Sequence, residues 1–386
     1  MRICLVSSSF YPAIFYGGPI SSTWDLSKKM GEKGIKMFVS TTNANGKKRL
    51  RGVNTKKHTK QAENVFVRYY NEQIINLFSI SFIFGIFSDI KKSDIVYIQY
   101  LYHYTVLFSL FYSFLLGKKI IICPRGSLSE YTLKDKNTIL KKFWLFLVVK
   151  PFSKRIFWQA SSYLEKQDIL NYFPDANVQI VSDGVDFDSF QNQNRVGNKE
   201  LLKKYINTDF AQVSEILFSM GRLHDIKRFD VLIHAFNIYV NDNKNSKLLI
   251  AGADDGSKIK IQRLIDKLRL SDSVFLIGLI NFDQKKELLT NCSVFALCSE
   301  FESFGIVIAE ALACGTPVIV SDKAPWKDIE KNKCGIFAKN QKEEISRALF
   351  QVKESNFLEK DCKRYIKNNF DWNIVSENFL KLVTEK

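Results

Sequence analysis

Residues 293–322, SVFALCSEFESFGIVIAEALACGTPVIVSD, constrain the fold more than any other stretch of the chain. The apolar run that ends at Cys298 lacks the alternation of a half-exposed strand and reads as a strand buried on both faces. A Ser-Phe-Gly turn follows at 303–305, and an apolar helix starts at Ile306. Gly315, Thr316 and Pro317 end that helix, and Val318 opens another strand. Strand, tight turn, helix and strand in this order are the repeating unit of a parallel α/β sheet. Two carboxylates sit on the unit. Glu302 lies in the turn, and Glu310 lies about one and a half turns into the helix, at ~3.6 residues per turn. An unpaired charge is costly on so apolar a helix, which argues for a specific role for Glu310. Gly305 lets a ligand approach the backbone, and the free N–H groups near Phe304 to Val307, with Ser303 and Ile306 beside them, form an anion site. A phosphate at the helix mouth, with carboxylates for hydroxyl groups, suits a nucleotide sugar.

A second candidate site lies at Leu217 to Asp230, LFSMGRLHDIKRFD. A strand ends at Gly221, and Arg222 and Lys227 follow before a helix with an apolar face. Ligands gather at the carboxyl ends of strands in an open α/β sheet. Two cations there can hold a diphosphate, Arg222 through its planar fork and Lys227 as a point charge. Near the amino terminus, Tyr16-Gly17-Gly18-Pro19 forms a glycine turn between a strand and the helix Ile20 to Met30, another place for backbone N–H groups to meet an anion. Cys123-Pro-Arg125-Gly126 is a further turn at a strand end, where Arg125 and Gly126 are candidates for meeting an anionic or polar acceptor, with His103 as the nearby imidazole. Asp254-Asp255-Gly256 follows a strand and reads as a turn rather than a metal pair.

The 386 residues suit two domains rather than one, and at 46% hydrophobic there is ample core material. Strands alternate with helices in both halves. The expected division is 1–187 and 188–371, with an Asn- and Gln-rich hinge at Asp186 to Asn198 and a closing amphipathic helix from Trp372 to Thr384. The seven cysteines form no CxxC pair, and Cys123, Cys292, Cys298 and Cys314 lie in apolar segments, as buried free thiols of a reducing compartment do. No run reaches the ~18 to 20 apolar residues that span a bilayer. Asn76 to Phe87 and Tyr104 to Leu116 come nearest, and both read as buried helices. The amino terminus enters a strand and is not a signal peptide.

The net charge of +16 is unevenly spread: residues 1–190 carry 26 Lys and Arg against 14 Asp and Glu. The densest run, Lys47 to Lys60, holds seven basic residues and no acid. It reads as a surface loop able to meet anionic lipid headgroups or a pyrophosphate-linked acceptor, with Phe82, Phe84 and Phe87 adding shallow insertion if exposed. No nucleic-acid motif accompanies the charge, so nucleic acid is not an expected partner.

The pattern Gly221-Arg222-x4-Lys227 followed by Glu302-x7-Glu310 resembles the retaining glycosyltransferases of family 4, with Ser303-Phe304-Gly305 where the family usually has Gly-Phe-Gly. The likeness runs almost end to end. Val181-Ser-Asp183-Gly-Val-Asp186 resembles the family's Asn-Gly-Val-Asp, with Asp183 in place of Asn, and Ala324-Pro325-Trp326 resembles a loop of polysaccharide-building members. Many relatives carry His-Gly or His-Asp where this chain has Arg125-Gly126, so a histidine role does not carry over there. The resemblance implies the GT-B fold, two Rossmann-like doubly wound domains facing across a cleft, with the closing helix packed back on the first. It implies a UDP- or GDP-linked donor held by Arg222, Lys227, Glu302, Ser303, Phe304, Gly305, Ile306 and Glu310, with Gly17 and Gly18 facing its phosphates. Glu302 would touch the sugar hydroxyls and Glu310 the ribose, and Glu302, Arg222 and Lys227 would carry catalysis. The acceptor is expected to be a glycan or lipid-linked glycan, as in lipopolysaccharide and other cell-surface polysaccharide synthesis. The cations supply what a metal would, so neither metal nor cofactor is expected. The expected location is the cytoplasm, peripheral at the inner membrane face. A nucleotide-sugar epimerase of the same fold and an inactive binding scaffold are the alternatives.

Overall fold

The computed structural model describes residues 1–13, 15, 17–74, 78–134 and 137–385. The chain divides into two compact units, Met1–Gly184 with Trp372–Lys386, and Val185–Asp371.

The first unit is built on β1 Arg2–Val6, β2 Lys36–Thr42, β3 Thr59–Ala62, β4 Val65–Tyr70, β5 Ile95–Gln99, β6 Lys119–Cys123, β7 Ile156–Ala160 and β8 Asn177–Ile180. They lie in the order β8-β7-β6-β5-β1-β2-β4-β3, parallel except for β3. The central strands are apolar runs because helices cover both faces of a parallel sheet. Ile3 pairs with Met37 on one side and Ile95 on the other, and all three are buried. Helices α1 Gly18–Glu32, α2 Ile80–Lys91, α3 Tyr104–Leu115 and α4 Thr138–Trp144 belong to this unit. So does the closing helix Trp372–Thr384, whose Trp372, Val375, Phe379, Leu382 and Val383 join the core beside β1 and β5. Gly184 accommodates the Trp372 indole, since a Cβ there would lie 2.6 Å from the ring.

The second unit holds β9 Glu215–Met220, β10 Ser246–Ala251, β11 Val274–Gly278, β12 Val294–Leu297, β13 Val318–Ser321 and β14 Gly335–Ala338. All are parallel, in the order β11-β10-β9-β12-β13-β14. Strand β9 lies between β10 and β12, so the order reverses there, and the loops leaving β9 and β12 diverge at the switch point. Helices α5 Phe229–Asp242, α6 Phe282–Asn291 and α7 Ile306–Ala313 follow β9, β11 and β12.

Three expectations change. The stretch 186–198 is not a bare linker: Phe187 and Phe190 are buried in the second unit's core, which a count of its Asn and Gln residues hides. The basic run 47–60 is not all loop. Lys48–Arg49 pairs with Ala44–Asn45 in a short antiparallel ladder, and the run's end enters the edge strand β3, where charges are tolerated because one side faces water. The apolar segment 76–87 places Phe82 in the core and packs Phe87 against Tyr112, so of the three phenylalanines considered for insertion Phe84 alone is exposed. Asn76 and Leu77 of that segment, and Tyr16 of the glycine turn, lie outside the described residues.

Candidate active site

The switch point of the second sheet gathers the two candidate motifs. The loop after β9 carries Arg222, a short turn Asp225–Lys227, and then α5. The loop after β12 runs from Cys298 to Gly305 and enters α7. The Glu300 N–H donates to the Ile226 carbonyl at 2.7 Å, and Arg228 pairs with the Glu300 carboxylate at 3.0 Å, so the loops are stitched together. Residues 75 positions apart in sequence thus meet: Lys227 pairs with Glu302, whose Oε1 also accepts the Ser299 hydroxyl at 2.7 Å. Both side chains are mostly buried, at 17% and 13% exposure. The Lys227 stem runs over Gly221, where a Cβ would come within 3.1 Å of it. A side chain at 221 would require the Lys227 stem to shift slightly.

The turn before α7 is braced from beneath. Gly305 has φ +85°, a left-handed conformation that favours glycine, and a Cβ there would meet Ile308 at 2.9 Å. The buried Trp326 donates its indole N–H to the Phe304 carbonyl at 2.5 Å. Phe304 packs against Trp326 and Phe370, so its ring belongs to the core and only its backbone is offered to a ligand. No side chain caps α7, which leaves the first N–H groups, at Ile306 and Val307, pointing out of the helix.

Glu310 is buried on α7 and pairs with Lys285 of α6. The Lys285 ammonium also lies 5.1 Å from the Phe282 ring, which is half exposed. Arg222 sits further out, nearly half exposed, and pairs with Asp255. Asp254 meanwhile accepts N–H groups from Gly256 and Lys258 and so shapes the turn. Among the described residues no three of His, Cys, Asp and Glu converge as metal ligands. Sequence reasoning missed Lys285 and Ser299, and it read Asp255 as part of a turn without its pairing to Arg222. Nothing distinguishes Lys285 from its many fellow lysines until α6 is laid beside α7.

Gly17 and Gly18 lie in the first unit, at the carboxyl end of β1 and the start of α1. Gly17 has φ +77° and open space where a side chain would stand. The acceptor candidates fare differently. The Arg125 guanidinium is 1% exposed, paired with Asp183 and donating to the Gln99 side chain at 2.8 Å. The Gly126 N–H donates to the buried Glu165 at 2.6 Å, and Glu165 also accepts from the Ser161 backbone and hydroxyl. Arg125 and Gly126 therefore tie their turn to Gln99, Asp183 and Glu165. His103 caps α3, its Nδ1 beside Thr105, with Nε2 4.0 Å from Glu72.

Two parallel α/β units of this kind, the second with its site at the sheet's switch point, have the GT-B fold. The Anabaena HepE protein in complex with UDP-glucose covers 100% of both chains at a TM-score of 0.77 and 15% identity. Residues 207–372 match the family model of glycosyl transferases group 1. An uncharacterized glycosyltransferase of Methanocaldococcus jannaschii is 26% identical over 57% of this chain and 58% of its own length. The N-acetylgalactosamine-N,N'-diacetylbacillosaminyl-diphospho-undecaprenol 4-alpha-N-acetylgalactosaminyltransferase of Campylobacter jejuni is 28% identical over 50% of this chain and 47% of that protein. The chain thus spans about half the length of these two curated relatives.

Proposed function

We propose that this protein is a metal-independent, retaining glycosyltransferase of family 4 that moves a sugar from a UDP- or GDP-linked donor to a glycan or lipid-linked glycan in cell-surface polysaccharide synthesis. The observation that carries the reading is the Lys227–Glu302 pair at the switch point, beside the uncapped start of α7 and next to Lys285–Glu310. A leaving diphosphate gains charge as the glycosidic bond breaks. Arg222, Lys227 and the Ile306 and Val307 N–H groups are fixed donors for that charge, which is the largest kind of contribution a site makes. Arg222 and Lys227 supply the neutralisation that a divalent ion supplies elsewhere. Glu302, oriented by Lys227 and Ser299, accepts hydrogen bonds from sugar hydroxyls, and Glu310, oriented by Lys285, accepts them from the ribose. Phe282 offers its exposed ring beside the Lys285 ammonium that pairs with Glu310. Two named relationships support the substrates: the HepE structure holds UDP-glucose, and the Campylobacter relative acts on a diphospho-undecaprenol glycan.

Thermal-shift screening of UDP- and GDP-sugars identifies the donor, and proton NMR of the product reads the anomeric configuration. Nucleoside diphosphate release that depends on acceptor, with the donor's configuration kept and chelator without effect, is the expected result. Conversion of the donor without acceptor identifies an epimerase instead. Inversion, or complete loss on chelation, refutes the corresponding part of the mechanism.

A further inference from the structure

An unpartnered apolar face of the described chain lies away from both the basic run 47–60 and α2. It lies on the rod formed by α4, which continues without a break through a wide turn at Leu145–Val149 and a tighter one at Lys150–Arg155. One side of the rod is fixed to the body. Leu145, Val148 and Val149 are buried, and the Trp144 indole donates to the Leu101 carbonyl at 2.8 Å. The other side carries Ile139, Leu140, Phe143, Phe146 and Leu147, each at least half exposed and Ile139 at 83%. Their spacing places them on one stripe of a helix at ~3.6 residues per turn. A helix that is apolar all round is ordinarily buried, and a soluble surface rarely keeps so continuous a patch.

The charge around the stripe selects its partner. Residues 137–155 contain five Lys and Arg and no acid. Lys142, Lys150, Lys154 and Arg155 are exposed. The Lys150 ammonium lies over the Phe146 ring at 5.3 Å, and the Arg155 guanidinium over Phe114 of α3 at 4.7 Å, so cations rim the apolar surface. Phe114, itself partly exposed, packs edge-on against Phe152 and extends the patch onto α3. An apolar stripe edged by cations fits the headgroup–acyl boundary of an anionic bilayer, where lysine stems reach outward while the rings sink. Two copies of the chain brought together on this face would oppose like charges.

We infer that residues 138–155 dock the first unit onto an anionic membrane surface, with Phe143 and Phe146 as the inserted anchors. The purpose, delivery of a lipid-linked acceptor, rests on the function proposed above, whereas the docking itself does not. Co-sedimentation with vesicles of phosphatidylcholine alone, or mixed with phosphatidylglycerol, tests it on the full chain without substrates. The parent is expected to bind the anionic vesicles and to be released by salt. Phe143→Ser with Phe146→Ser should lower partitioning by about tenfold or more, since each ring transfers one large apolar side chain. Lys142→Glu with Lys150→Glu should lower it on the anionic vesicles alone. Both variants change exposed side chains, so their melting temperatures and turnover with a short soluble acceptor should match the parent. Absence of binding by the parent, or parental binding by the Phe143/Phe146 variant, overturns the inference. A dimer in solution that the same variant abolishes also overturns it and assigns the face to a second copy. Failure of sugar transfer with vesicle binding intact would overturn the proposed function and leave the docking surface standing.

Discussion

Replacing Lys227 by alanine tests whether the Lys227–Glu302 pair is a phosphate site or a structural ion pair. If Lys227 meets the diphosphate, its loss removes one charge-assisted hydrogen bond, worth about 1.5–3 kcal/mol or roughly 10- to 150-fold in affinity. The substitution also strands Glu302. Its carboxylate is 13% exposed and, among the described residues, keeps only the Ser299 hydroxyl as a partner, so a negative charge remains beside the proposed diphosphate position. The effects have the same sign, and Lys227→Ala should reach the upper part of that range. Glu302→Gln has the opposite consequence for the nucleotide. It frees the ammonium from its carboxylate, so nucleoside diphosphate should bind as well as or better than to the parent, while transfer slows if Glu302 contacts the sugar. The double variant should bind better than Lys227→Ala alone, by about 1 kcal/mol, a coupling usual for residues in contact. Calorimetry with UDP and GDP on the four proteins completes the cycle. Equal affinity of parent and Lys227→Ala refutes the phosphate assignment. A double variant no better than Lys227→Ala refutes the electrostatic part of the argument.

Other outcomes follow from the same geometry. Gly305→Ala must hold φ near +85° against Ile308 and should lower nucleotide affinity by up to about 5- to 150-fold, since strain of about 1–3 kcal/mol falls on the turn that aims the α7 N–H groups; parental affinity would show that the turn does not matter. Arg125→Met leaves Asp183 buried without its partner and should destabilise the chain by about 3 kcal/mol in denaturant titrations, the low end for a broken buried pair; full stability with lost acceptor binding would restore Arg125 as a binding residue. Burial, then the neighbouring Glu165 and Glu130, push the Asp168 carboxyl up to about 6. Its folded pKa lies above the unfolded value near 4, so the folded state holds the proton more tightly and stability falls as pH rises from about 4 to 6. Asp168→Asn should flatten that fall and stabilise the protein at pH 7 by about 1 kcal/mol, a value reduced because the side chain is partly open to solvent; an unchanged pH profile of melting would remove Asp168 as its source.

The parallel α/β class was legible in the chain because strands buried on both faces must be continuous apolar runs, and Ile95–Gln99, Lys119–Cys123 and Val294–Leu297 read that way without a partner in view. The turn at 303–305 was legible for a local reason as well, since φ +85° favours glycine. Local patterning could not reveal charge pairing. Lys285 meets Glu310 only because α6 lies against α7, and Arg125 meets Asp183 only because β6 brings its turn beside it. The exposed face of residues 138–155 shows the same division. Its apolar letters resemble those of the buried α3 side, and periodicity cannot say which of two apolar faces meets the core. Burial is a property of what packs against a residue. The sequence by itself determined the strands, turns and residue types available for chemistry, because these depend on neighbours a few positions away. Which cation meets which carboxylate, and which apolar face stays in water, was decided only by the tertiary structure, because those relations depend on elements tens of residues apart.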